Sequence, residues 1–206
     1  MAWINSDDKY TPWAFSVVAE IFLTFPEIEW ITTLYPLTWD TAGRAVDCGQ
    51  RTGYTKTAFL KGRNIPGRSH CPEGTIQQES TFWRRSLWNK AGATLDTSLK
   101  LAADFELWER LFQHADLYGV NCPLGGFRIH QDQKTTRHLE AYADEAEQVL
   151  SRYGRKVEQP AAALLHRLLR QVRWPQRILQ VGTRLGMREP RKICVHRENG
   201  WRIESR

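Results

Sequence analysis

The segment YTPWAFSVVAEIFLTFPEIEWITTLYPLT, residues 10–38, constrains the fold more than any other part of the chain. Its first half places Ala14, Val17, Val18, Ile21 and Phe22 at the three-and-four spacing that gathers them on one face of a helix. Thr11 is placed to cap that helix, Pro12 suits its first position because a nitrogen there needs no partner, and Pro26 ends it. The second half, EWITTLYPLT, is β-branched and aromatic and therefore predicts strand. A short opening strand, a helix and a second strand in quick succession predict layers of helix packed on sheet.

The remaining chain extends the alternation. A long polar stretch from about Trp39 to Thr75 reads as a functional loop, since loops of that length are uncommon inside compact domains. STFWRRSLWNKAGATLD predicts a short helix closed by Gly92, with Phe82, Trp83, Leu87 and Trp88 as its apolar contacts. AADFELWERLFQHA predicts a helix beginning near Asp104, its apolar face made by Phe105, Leu107, Trp108, Leu111 and Phe112 with polar residues opposite. LYGVNCPLGGFRIH reads as one or two strands with a Gly-Gly kink, and from Thr136 onward the pattern is helical and polar. The expected fold class is therefore α/β, with a domain over residues 1–135 and a helical, basic extension over residues 136–206.

Charge marks that extension. The chain carries a formal net charge of +6, yet residues 151–206 hold 14 Lys/Arg against 4 Asp/Glu while residues 1–150 hold 15 against 19. The asymmetry points to an anionic partner for the tail alone. Within it, Leu164, Leu165, Leu168 and Leu169 alternate with Arg167, Arg170, Arg173 and Arg177, a basic amphipathic stretch over residues 160–188 that suits the surface of an anionic membrane or, equally, packing on protein. No run of 18 apolar residues occurs and the opening residues lack a signal-peptide pattern, so the expected location is the cytoplasm, with peripheral attachment at the inner membrane face. The four cysteines are scattered, without a CxxC pair, and read as reduced thiols rather than as a disulfide framework or zinc site.

Three places carry candidate chemistry. NSDD, residues 5–8, sets two adjacent carboxylates after a strand-like opening, which suits either a hard divalent cation or a polar turn that caps the next helix. Asp104 at a helix start reads as an N-cap or as a general base, and a cap would favour the ionised form that a base needs. Glu106 is the neighbour that could share or compete for that role. GGFRIHQDQKT brings Arg128 and His130 to one side of an extended segment. QQESTFWRR is otherwise a loop entering a helix, with Arg84 and Arg85 solvated.

Taken in order, AWINSDDKYTPWA, QQESTFWRRSLWNKAGATLD, AADFELWERL and GGFRIHQDQKT resemble the family 2 glycosyltransferases, nucleotide-sugar enzymes of the GT-A fold. The resemblance covers about residues 1–150. It implies that Asp7 takes the metal-binding place of a DxD-type motif for Mg²⁺ or Mn²⁺, with Asn5 replacing the first acid and Asp8 following. It further implies that His130 contacts the metal or the diphosphate and that Asp104 is the catalytic base of an inverting transfer. Gln77, Gln78, Glu79 and Arg128 fall to donor and acceptor binding. The implied partners are a nucleotide-sugar donor and a glycan or lipid-linked acceptor. Members of the family carry several strands and helices ahead of the aspartate motif, so the expectation is a partial GT-A fold lacking its N-terminal strands, whose activity as this chain alone is in question.

A different class of function also fits the composition: a non-catalytic basic module that binds nucleic acid or an anionic membrane through the +10 tail and some of the nine tryptophans. Against nucleic acid, the basic residues alternate with leucines rather than lying beside exposed aromatics.

Overall fold

Successive residues of β2 (Trp30–Thr33) are buried on opposite sides of a sheet, Trp30 in one apolar cluster and Ile31 in another. The same alternation separates Phe82 from Trp83 on β5 (Thr81–Trp83) and Ile193 from Cys194 on β8 (Lys192–Arg197). Strands that are apolar on both faces require cover on both faces, and that requirement sets the architecture. The computed structural model describes residues 1–68, 73–129, 138–158 and 189–206.

Five strands form the main sheet in the order β5-β2-β6-β8-β9, with β6 spanning Leu117–Val120 and β9 spanning Gly200–Ser205. β2, β6 and β8 run parallel, and antiparallel β5 and β9 close the two sides. One face is covered by α1 (Ala14–Thr24), through Ala14, Val18 and Ile21. The other carries α2 (Lys56–Leu60), α3 (Arg85–Lys90), α4 (Ala103–His114) and α5 (Leu139–Arg152). A second, four-stranded sheet orders β1 (Lys9–Tyr10), β7 (Gly125–Arg128), β3 (Leu37–Trp39) and β4 (Ala45–Cys48). The α/β class expected from the sequence is therefore present, as two mixed sheets with five helices among the described residues.

Aromatic packing fixes α4. Trp108 meets Trp30 and Trp83 with ring centroids 5.7 Å apart in each pair, and Phe112 meets Trp30 edge-on at 4.7 Å. Phe59 of α2 stacks on Phe105 at 4.4 Å. Each such side chain contributes roughly 1.5–3 kcal/mol through burial. The helix start, however, is not self-capped: Ala102 occupies the cap position. The carboxylate of Glu145, on α5, instead accepts from the backbone N–H groups of Leu101 at 2.9 Å and Ala102 at 3.0 Å.

Several expectations are corrected. The opening residues form no strand: Ala2 makes a single bridge to Phe82, and ladder pairing begins only at Lys9. α1 begins at Ala14, and the Thr11 hydroxyl donates to the carbonyls of Pro123 and Leu124 rather than capping the helix. Phe82 and Trp83 belong to strand, because a fully buried strand needs apolar residues on both faces and so lacks the simple period of two. The long polar stretch contains β4, which pairs with β3 just ahead of it, and α2. Arg84 is not solvated: its guanidinium donates to the carbonyls of Ile28, Phe22 and Phe25, closing the C-terminal end of α1.

The helical C-terminal extension is corrected as well. Residues 139–152 are helical, but residues 192–205 are the β8-β9 hairpin of the main sheet. Ala143, Ala146, Val149 and Leu150 of α5 and Ile193 and Val195 of β8 enter the same core as α4. Arg191, just before β8, forms a buried 2.9 Å ion pair with Glu73. Positive charge at the ends of KICVHR obscured an alternating strand. The basic amphipathic stretch at 160–188 lies outside the described residues. Among the described residues no helix is long and apolar enough to cross a membrane.

The Gly-Gly pair of β7 has a packing cause. A Cβ on Gly126 would fall on the Leu37 carbonyl of the neighbouring strand, and one on Gly125 would lie 2.7 Å from the Glu79 carbonyl oxygen. Neither contact is relieved by moving a side chain. Gly126→Ala is therefore expected to destabilise the chain by about 3 kcal/mol or more, read as a lowered denaturant midpoint, whereas alanine at Gly154, with open space and a φ of 69°, costs about 1 kcal/mol.

Candidate functional site

A turn and a single helical loop meet beside β7, and the carboxylate at the start of α4 acts on them through its charge. The turn is Asn5–Asp8, closed by the Asp8 N–H donating to the Asn5 carbonyl at 3.2 Å. It is held at both ends: the Asn5 side-chain amide donates to the Asp8 carboxylate at 3.0 Å and to the Gln78 side-chain oxygen at 3.1 Å. Gln78 in turn donates to the Trp3 carbonyl. The other Asp8 oxygen accepts from the Arg128 backbone N–H at 3.2 Å, which ties the turn to the end of β7. Asn5, Asp8, Gln78 and Arg128 thus form one hydrogen-bonded unit. The polar-turn reading of NSDD is realised, although the turn leads into β1 rather than capping a helix.

Gln77, Gln78 and Glu79 lie at the 3₁₀ turn (Gln78–Ser80) that leads directly into β5. Close approach of Gly125 to the Glu79 carbonyl brings this turn against β7. The Gln77 side-chain oxygen, one Glu79 carboxylate oxygen and the Ser80 hydroxyl are buried without a hydrogen-bond partner among the described residues. Buried polar atoms are nearly always paired, so three unmet atoms within four residues mark a place where water or a ligand completes the structure.

The electrostatics of this turn reach α4. Glu79 is 6% exposed, and burial pushes its carboxyl up to about 8, with the negative charges of Asp8 and Asp104 pushing in the same direction. Asp104, in the first turn of α4, is pushed up to about 6 by burial. Hydrogen bonds to its Oδ1 from the Tyr142 hydroxyl and from the Phe105 N–H, both at 2.8 Å, act the other way. The sequence expectation that a cap would favour the ionised form is corrected on two points: Asp104 is not the cap, and desolvation outweighs the donors it does have. At neutral pH it remains mostly ionised. The neighbouring Glu106 carboxylate pairs with Arg110 at 2.8 Å and accepts from Tyr153 at 2.7 Å.

Asp7 is partly buried in the turn beside Asp8. His130 lies outside the described residues. No group of three or more His, Cys, Asp or Glu side chains converges among the described residues to hold a metal ion. The donor set at the turn is nevertheless all oxygen, and Mg²⁺ or Mn²⁺ needs only one or two carboxylates when substrate phosphates and water supply the other ligands. Asp7 and Asp8 are the two carboxylates at this turn, Asp8 being held in its closure.

Tyr142, Tyr10 and Tyr54 were not singled out from the sequence. Tyr10 senses Glu79 and Asp8, which together with burial raise its phenol. Tyr54, deeply buried and donating to the Thr75 carbonyl at 3.1 Å, is raised by burial and also senses Glu79. Neither carries a sequence signal, since a tyrosine in a core and one beside an acid cluster look alike. A small cleft elsewhere, lined by Thr55, Lys56, Asp116, Glu189 and Lys192, has a volume of about 100 Å³, below the roughly 300 Å³ at which small-molecule pockets begin. Its Glu189 carboxylate caps α2 through the N–H groups of Lys56 and Thr57.

Comparison with known proteins finds no family model that matches the chain and no curated protein that matches it.

The raised Glu79 has a consequence for stability. A carboxyl whose folded value lies above its unfolded one stabilises fully below about 4.5, and that contribution is lost as pH rises through about 8. Glu79→Gln removes the dependence. The variant is expected to be more stable than the parent at pH 8.5 by a few kcal/mol, on the order set by linkage, with the difference shrinking toward pH 5 in thermal melts.

Proposed function

We propose that the chain is a family 2-like glycosyltransferase that moves a sugar from a nucleotide-diphosphate donor to an acceptor hydroxyl with inversion. One observation carries the reading. The Asn5–Asp8 turn is hydrogen-bonded through Asn5 to Gln78 of the Gln77–Glu79 segment, and the charge of Asp104, distant in sequence from both, adds to the raised Glu79 carboxyl. These belong to three of the four stretches on which the glycosyltransferase resemblance rests.

In this reading Asp104 removes the proton from the acceptor hydroxyl as that oxygen attacks the anomeric carbon, and the nucleoside diphosphate departs from the opposite side. Its elevated value brings it nearer the operating pH than an ordinary aspartate, which suits a base that must also release the proton. Asp7 would hold Mg²⁺ or Mn²⁺ together with the diphosphate. A bound divalent ion supplies positive charge to that leaving group. Asn5 and Gln78 fix the turn that presents Asp7, while Gln77, Glu79 and Arg128 line the donor and acceptor side. His130 takes the metal or diphosphate contact that the resemblance assigns to it. The proposed location is cytoplasmic, with residues 160–188 on an anionic membrane surface near a glycan or lipid-linked acceptor.

Two substitutions separate the roles. With UDP-, GDP- and TDP-linked hexoses as donors, Asp104→Asn is expected to lower turnover by at least about 100-fold while calorimetric binding of the matching nucleoside diphosphate with Mn²⁺ stays near the parent value. Asp7→Ala is expected to weaken that binding in the presence of Mn²⁺ and to leave the metal-free titration little changed. Full turnover by Asp104→Asn rejects the base, and an unaltered Mn²⁺ dependence in Asp7→Ala rejects the ligand.

A further inference from the structure

α5 lies largely beyond the segments that define the proposed activity, yet it makes the most direct contacts with the start of α4. Tyr142 and Glu145 stand three residues apart on α5 and so project from one face. The Tyr142 hydroxyl donates to Asp104 Oδ1 at 2.8 Å. The Glu145 carboxylate accepts from the N–H groups of Lys100, Leu101 and Ala102 at 3.3, 2.9 and 3.0 Å, replacing the cap that α4 lacks. Just past the end of α5, Tyr153 donates to Glu106 at 2.7 Å and Arg155 pairs with Glu109 at 3.1 Å. Between these polar contacts, Ala143 and Ala146 are fully buried in the core that contains Phe105 and Trp108. α4 and the residues leading into it are thus fixed against α5 and the residues just after it by packing and by four side-chain ties.

We propose that Tyr142 is a positioning residue for the Asp104 carboxylate: its hydroxyl and the Phe105 N–H together hold Oδ1, so that the side chain cannot rotate and Oδ2 is the oxygen presented for proton transfer. This rests on the reading of Asp104 as the base. A phenol donating to a carboxylate favours its ionised form, so the same bond that orients Asp104 also keeps it deprotonated. Burial opposes that effect, and α5 therefore sets how much of the base is available near neutral pH. Among the described residues the charged groups that neighbour the pair are Glu145 on α5, Glu106 with its partner Arg110 on α4, Lys100 before α4, and Glu79 in the 3₁₀ turn. Glu145 and Asp104 both raise the Tyr142 phenol, which is also raised by burial, so Tyr142 stays protonated and remains the donor.

The test is a carbon-13 carboxyl titration of Asp104 in the full chain, with Asp104→Asn used to assign its signal. It requires no substrate. Tyr142→Phe is expected to raise the Asp104 midpoint from near 6 by about one pH unit, a tenfold weakening of ionisation. Site-specific 3,5-difluorotyrosine at position 142, a stronger donor of nearly unchanged shape, is expected to lower it. Thermal melts of both proteins establish that the fold is retained, and the fluorinated protein carries the test if Tyr142→Phe does not fold. A midpoint that moves in neither protein, or in the same direction in both, overturns the proposal. A failure of glycosyl transfer with a normal titration response would instead count against the activity assigned to Asp104, so the two readings fail by different measurements.

Discussion

The seating of α4 on the main sheet is the constraint on which the remaining structure depends. Trp108 and Phe112 lock against Trp30 and Trp83, and Phe59 brings α2 onto Phe105 of the same helix. Because α4 is uncapped by its own sequence, its start is then completed from outside by Glu145. The helix that carries Asp104 is therefore positioned at two levels, by apolar burial along its length and by polar ties at its beginning. A carboxylate on such an element has little freedom to drift, which is the condition a positioned base requires.

The acids beside it are maintained at a cost. Glu79 and Asp104 are both held above the usual carboxylate range by burial, and Asp8 and Asp104 raise Glu79 further. Carboxylates grouped around a turn whose buried oxygens lack partners among the described residues are unfavourable by themselves. The arrangement gains a purpose if a cation and the oxygens of an anionic ligand enter it, since these would relieve the repulsion and satisfy the turn. Strain of this electrostatic kind, retained in an otherwise well-packed core, is characteristic of functional sites.

Much of the fold was legible in the sequence where periodicity was simple. α1 and α4 were read within a few residues of their limits, and the apolar face assigned to α4 is the buried one. Strand β5 was missed because burial on both faces removes the alternation by which half-buried strands are recognised. β8 and β9 were hidden by charge: lysine and arginine at their ends suggested a solvated tail, whereas Ile193, Cys194 and Val195 enter the core. Within the candidate site, Asn5, Asp8 and Asp104 were legible because acids and amides at turns and helix starts are conspicuous, whereas Gln78 and Glu79 entered only through the family resemblance. Tyr142 and Glu145 were not legible, since a polar helix gives no sign of which distant helix start it will complete.

The central claim is that the Asn5–Asp8 turn and the Gln77–Glu79 segment together form a divalent-cation and diphosphate site beside Asp104. Paramagnetic broadening of amide signals by trace Mn²⁺, recorded with UDP, GDP and TDP in turn, tests it most directly. The account predicts that with at least one nucleotide the first amides lost are those of Asn5–Asp8, Gln77–Glu79 and Arg128, followed by Asp104, while β9 is unaffected. Broadening centred on Glu189–Lys192 or on Glu204, or loss that is uniform across the chain with every nucleotide, would contradict it.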